Sequence, residues 1–181
     1  MIQRIKERLN REDKGFTLIE LMVVVLIIAI LIAIAIPTFL GARARAQDRA
    51  AQSSLRNSVT AAKAIFTDNE DYADADAATL ALGEPALVFV ASAVASTDQN
   101  MVSVDPGTTP STRFVGAVLS KADKCWYVQD VVSPGTNPGT KWAFNDQPAA
   151  GTCTAASAPA VGTTALPGPW VANPGDAVDI P

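Results

Sequence analysis

Sixteen consecutive apolar residues, Leu21 to Ile36, limit what this chain can be. With Phe16, Leu18 and Ile19 before them and Phe39 and Leu40 after, the apolar segment covers 25 residues. As a helix that is about 37 Å, enough to cross a hydrocarbon core of about 30 Å. Two charged features do not suit a plain anchor. Glu20 lies inside the apolar segment, where a carboxylate costs about 2.5–3.5 kcal/mol near mid-membrane. Arg4, Lys6, Arg8, Arg11 and Lys14 crowd the residues before it and stop at a Gly15-Phe16 junction.

A cut between Gly15 and Phe16 explains both. It creates a new α-amine four residues before Glu20. Such an amine has a pKa of about 8 and is cationic at neutral pH. Glu20 then gains a cation partner, its own amine or that of a neighbouring subunit, as a buried carboxylate requires. The competing reading is a signal-anchor helix with one tolerated acid near its end. The Lys/Arg-rich residues 4–14 favour the cytoplasmic side, which places everything after Leu40 outside. No Ala-x-Ala site follows the apolar run, so the segment is expected to stay in the mature protein.

Gly15-Phe16-Thr17-Leu18-Ile19-Glu20-Leu21-Met22-Val23-Val24-Val25 resembles the prepilin cleavage and methylation signature of type IV pilins and type II secretion pseudopilins. The likeness covers residues 14–40, with a weaker helical continuation. It implies a prepilin peptidase that cuts after Gly15 and N-methylates Phe16. It implies an inner-membrane assembly platform that packs copies into a helical filament, a homo-oligomer, through this helix. The acid matching Glu20 meets the N-terminal amine of an adjacent subunit in that family. Pro37 matches a position where the family's helix is kinked.

Five of the fourteen Lys/Arg and three of the eighteen Asp/Glu lie in residues 1–15, leaving a side-chain balance of −6 beyond them. That argues against a nucleic-acid groove, which needs a basic field. The chain has no His, which excludes His-based triads and His metal sites. It carries no Gly-x-Ser-x-Gly or Ser-x-x-Lys motif and is not expected to be an enzyme or to hold a cofactor. Residues 68–76 are acidic but lack the mid-loop Gly and terminal Glu of an EF-hand. They are expected to be a solvated loop, with no metal. Cys125 and Cys153 suit a disulfide in an exported domain; the alternative is two reduced thiols.

The expected fold is α+β: one long N-terminal helix against a small antiparallel sheet, with a loop-rich C-terminal tail. Leu55, Val59, Ala62 and Phe66 form one apolar stripe on the second half of the helix. Asp68-Asn69 should end that helix, and Asp76 should cap a short helix over Ala77–Leu82. Strands are predicted at Ala86–Val94, Met101–Val104, Arg113–Leu119, Lys124–Val132 and Lys141–Asn145. The predicted organisation is a cleaved leader (1–15), a transmembrane and filament-core helix half (16–40), an amphipathic helix half (41–67), an exported head (68–153) and a Pro/Gly/Ala/Thr-rich tail (154–181), which Trp170 could pin to the sheet. The leading functional reading is a type IV pilus subunit: a single-pass membrane precursor whose mature form lies in a filament on the cell surface. The alternatives are a pseudopilin of a type II secretion system, or a minor tip pilin for adhesion or DNA uptake.

Overall fold

The computed structural model describes residues 15–108, 111–132, 138–146 and 148–159, with 172 and 174. Residues 1–14 and most of 160–181, Trp170 included, lie outside the described residues. The chain divides into two units, Met1–Ala42 and Arg43–Pro181. One helix, α1 (Leu18–Asn69), belongs to both.

In the first unit α1 is apolar on every side, and its helical hydrogen bonding continues past Pro37. Proline has no N–H for the carbonyl four residues earlier. In the same turn the Thr38 hydroxyl donates to the carbonyls of Ile34 (3.2 Å) and Ala35 (2.9 Å). The stretch is long and apolar enough to cross a membrane.

In the second unit α1 buries Ala51, Ser54, Leu55, Ser58, Val59 and Ala62. These recur every three or four residues, so they form the single inward stripe of an amphipathic helix. Phe66, the last residue of the predicted stripe, is only partly buried at the margin of this core. Four of the six side chains are small, which lets the helix approach the sheet closely. The Ser54 and Ser58 hydroxyls donate to the carbonyls of Ala50 (3.3 Å) and Leu55 (2.8 Å), so their burial leaves no orphaned donor. Gly116 completes the fit from the sheet side. A Cβ there would stand 3.2 Å from both Leu55 Cδ2 and Val128 Cγ1. Gly116 is therefore a point of close approach, and the sequence reading does not single it out.

The sheet has five strands: β1 (Val88–Ala91), β2 (Met101–Asp105), β3 (Arg113–Leu119), β4 (Lys124–Val131) and β5 (Gly139–Asp146). They lie in sequence order, and the three pairings from β2 to β5 are antiparallel. The first pairing departs from the expected pattern: β1 runs parallel to β2. Parallel neighbours need a crossover. Here β1 is only four residues long, so residues 92–100 can return to its start without a helix. Ser96 holds that crossover. Its Oγ donates to the Met101 carbonyl (2.6 Å) and accepts from the Leu119 amide (2.8 Å). The short helix α2 (Ala77–Gly83) starts where predicted, with the Asp76 carboxylate accepting the Thr79 amide at 2.8 Å.

Alternation along the strands gives the sheet two apolar faces. Val102, Val104, Phe114, Val118, Trp126, Val128 and Trp142 join Leu55 and Val59 of α1 in one core. Ala117, Cys125, Tyr127, Ala143 and Cys153 form a smaller cluster. Residues 148–159 cover that second cluster and end in a 3₁₀ turn, Ala155–Ser157, capped by Thr154. The start of the predicted tail is thus built into the head. The Ala155 amide reaches Ser103 Oγ at 2.9 Å.

Cys125 and Cys153 are joined in a disulfide within this cluster. It ties β4 to the covering segment across a sequence separation of 28 residues. Closing a loop of that length should stabilise the fold by about 3–4 kcal/mol through the unfolded state. Replacing both cysteines by Ser is expected to lower the denaturant midpoint accordingly, and reductant should then have no further effect. A midpoint equal to that of the unsubstituted chain would refute the contribution.

Candidate functional site

The residues that carry the predicted chemistry stand at the start of α1. Thr17 is its N-cap. Leu21 N–H donates to the Thr17 carbonyl (3.3 Å), and the Thr17 hydroxyl accepts the Glu20 amide at 3.3 Å. Glu20 reaches back: its Oε2 accepts the Thr17 amide at 2.9 Å and the Thr17 hydroxyl at 2.7 Å. Two helix-end donors and one carboxylate oxygen are satisfied reciprocally, which is a capping box. Oε1 of Glu20 has no partner among the described residues, so the carboxylate keeps one oxygen for an incoming donor. The sequence reading treats Glu20 as a bare buried charge and misses Thr17. The signal was there, since Thr17-Leu-Ile-Glu20 has the Thr-x-x-Glu spacing of such a box.

Gly15 lies just outside the helix, and a Cβ built on it would meet nothing within 4 Å. Its φ is not in the left-handed region, so neither space nor backbone within the chain requires glycine here. Phe16 is 80 % exposed. From Phe16 to Leu40 every large apolar side chain is exposed, by 46–80 %. These are eighteen side chains, each worth about 1.5 kcal/mol or more when buried. Leaving them in water forgoes on the order of 25 kcal/mol, more than a typical domain's whole stability. Lipid or other copies of the helix must cover them.

A second constellation fixes α1 to the head. Asp130 on β4 is 1 % exposed and lies in register opposite Thr140 of β5. Its Oδ1 accepts the Thr140 hydroxyl (2.5 Å) and meets Lys63 Nζ of α1 at 2.9 Å. Its Oδ2 accepts the hydroxyl of Tyr72 at 2.5 Å. Tyr72 is fully buried, with its ring 4.6 Å from that of Phe66 and 5.9 Å from that of Phe114. Burial alone would raise the Asp130 pKa. The hydrogen bonds from Thr140, Tyr72 and Lys63, and the Lys63 charge, outweigh it and hold the carboxyl below its usual range. Burial, and then the Asp130 bond, push the Tyr72 phenol well up, so it stays neutral and donates. Four elements of the second unit meet here: α1, the loop after it, β4 and β5.

This corrects the picture of 68–76 as a merely solvated acidic loop. Tyr72 is core, and Asp71 Oδ1 accepts the amides of Ala73 (2.8 Å) and Ser111 (2.7 Å). The sequence held a weak signal for Asp130, a carboxylate in register with inward-facing Trp126 and Val128. Among the described residues no group of three or more His, Cys, Asp or Glu could hold a metal ion.

The profile of the family described as the prokaryotic N-terminal methylation motif matches residues 10–36. Over 67 residues the chain is 48 % identical to the type IV major pilin protein PilA of Myxococcus xanthus, a match covering 37 % of this chain and 30 % of that one. Over 73 residues it is 37 % identical to the type IV wide pilus major component PilA4 of Thermus thermophilus, covering 40 % and 56 %. The chain thus spans less than two thirds of the length of either relative. No solved structure matches the chain. The methylation motif over residues 10–36, with the capped Glu20 inside it, and a long helix set on a mostly antiparallel sheet are what the chain offers beside its likeness to these two type IV pilins.

Proposed function

We infer that the chain is the main structural subunit of a type IV pilus. It is held in the membrane as a precursor with residues 1–15 on the cytoplasmic side. A prepilin peptidase cuts after Gly15 and methylates the Phe16 amine. An inner-membrane assembly platform then moves the subunit into a surface filament, where neighbouring copies replace lipid around the apolar half of α1. Pro37 supplies a turn with one backbone bond fewer, where the helix can adjust as it is packed.

The observation that carries this reading is the eighteen exposed apolar side chains on a helix whose other half is locked into a folded head. Gly15 supports it, because nothing in the chain itself asks for glycine there. Both relatives are named as major components of type IV pili, which favours the main subunit over a tip subunit.

Mass spectrometry of the N-terminal peptide from sheared surface filaments tests the reading. The expected peptide begins at Phe16 and carries one extra methyl group. Gly15→Val should leave precursor that still begins at Met1 in the membrane and give no filaments. Filament protein that begins at Met1 would overturn the reading.

A further inference from the structure

A groove of about 380 Å³ runs between α1 and α2 in the second unit. Small residues, Thr60, Ala61, Ala64 and Gly83, form much of its wall, and Asp68 and Glu84 also line it. Neither carboxylate has a side-chain partner among the described residues. No Lys or Arg lines the groove. It is a slot with small walls and uncompensated negative charge.

The complementary group is on the same chain. Arg45, Arg49, Arg56 and Lys63 follow one flank of α1, at spacings of four, seven and seven residues. The fold uses the last two. The Arg56 guanidinium stands 5.4 Å from the centroid of the Trp142 ring, and Lys63 pairs with Asp130. Arg45 and Arg49 are exposed, as is Arg43, and none of the three has a partner among the described residues. Other exposed cations of the head do have one: Arg113 pairs with Asp105, and Lys121 with Asp98.

We propose that the groove between α1 and α2 is the docking site for the Arg43–Arg49 stretch of a second copy of this chain. An Arg stem lies along the small walls while its planar guanidinium binds Asp68 and Glu84, a geometry suited to carboxylate oxygens. The charge match commits the slot to a copy of this chain. The donor stretch and the slot are about 13–19 residues apart along α1, so docked copies are staggered by about 20–30 Å along the helix direction. The slot and the arginine stretch are different parts of the same chain. The contact is therefore head-to-tail and propagates without closing, as a filament requires.

The proposal rests on the pilus reading, and two measurements on the full chain separate their failures. Exposed Ala46 and Thr67, the second beside the slot but not in its wall, both changed to Cys, should be joined between subunits by a short bismaleimide in sheared filaments. The expected result is a ladder of multimers, absent from either single variant. In the second measurement, Asp68→Lys with Glu84→Lys should lower filament yield about tenfold, two surface pairs being lost at each repeated step of assembly. Adding Arg45→Glu and Arg49→Glu to the same chain should recover most of the yield. Filaments of normal yield from the Asp68/Glu84 variant, or filaments without a ladder, overturn the docking and leave the pilus reading standing. A wild-type chain that never enters filaments overturns both.

Discussion

Replacing Glu20 by Ala should remove filaments from the cell surface while leaving the protein at normal levels in the membrane. The substitution deletes a carboxylate that costs about 2.5–3.5 kcal/mol in a helix at mid-membrane, so insertion should be as good or better. It also deletes half of a capping box, worth about 1 kcal/mol at the helix start. Neither change reaches the head, whose core is built from the second unit alone. On the proposed reading, what is lost is the attraction to the Phe16 amine that cutting would create. A cap at an exposed helix end is a local contribution, whereas a cation brought into an apolar filament core needs an opposite charge, so charge rather than capping should decide assembly. Glu20→Gln keeps shape and some hydrogen bonding and should be nearly as defective.

Thr17 separates the two roles. Thr17→Ala removes the hydroxyl that Glu20 Oε2 accepts and leaves the carboxylate charge in place. It should assemble far better than Glu20→Ala. Filaments are counted by immunoblot of the sheared fraction against the membrane fraction. Equal losses from Thr17→Ala and Glu20→Ala would assign the effect to the cap. Wild-type filament numbers from both Glu20 variants would leave Glu20 as a tolerated acid in an ordinary anchor.

The legible parts of this fold are those with a strong period or a strong local rule. The apolar run and the stripe at Leu55, Val59 and Ala62 place α1 within two residues of its observed ends, Leu18 and Asn69. Alternation places β3 and β4 nearly residue for residue, and Asp76 marks the start of α2. What was not legible depends on contacts distant in sequence. The parallel pairing of β1 with β2 follows from how residues 92–100 double back through Ser96, and no local pattern encodes it. Gly116 reads as one more glycine until Leu55 and Val128 close on it. Tyr72 reads as loop until Asp130, 58 residues on, is brought to its hydroxyl. At the candidate site the motif was plain, but the pairing of Thr17 with Glu20 needed the helix to be seen beginning between them.

Asp130→Ala should be among the most damaging single changes in the head, lowering stability by about 3–5 kcal/mol. The reason is what remains. The Tyr72 hydroxyl is left buried without its acceptor, Thr140 loses its partner, and Lys63 faces a cavity. Lys63→Met should cost less, about 1 kcal/mol, because the Lys63 side chain is 49 % exposed and water screens its half of the pair. Tyr72→Phe keeps the ring stack with Phe66 and Phe114 and removes one donor to the carboxylate, so it should fall between the two. Asp130 also sets how stability varies with pH. Its folded pKa is depressed, so its contribution is present above the unfolded value of about 3.9 and is lost as pH falls through the folded value. Tyr72 has the opposite sign. Its folded pKa is raised, so its contribution is complete below the unfolded value of about 10 and is lost as pH rises towards the folded one. The clasp between α1 and the sheet should therefore hold at full strength from about pH 4 to 10. Denaturant unfolding followed by Trp fluorescence at a series of pH values measures this directly. Asp130→Asn should flatten the acid limb and Tyr72→Phe the alkaline limb. Unchanged limbs in both variants would mean that the clasp is formed but does not set the stability of the head.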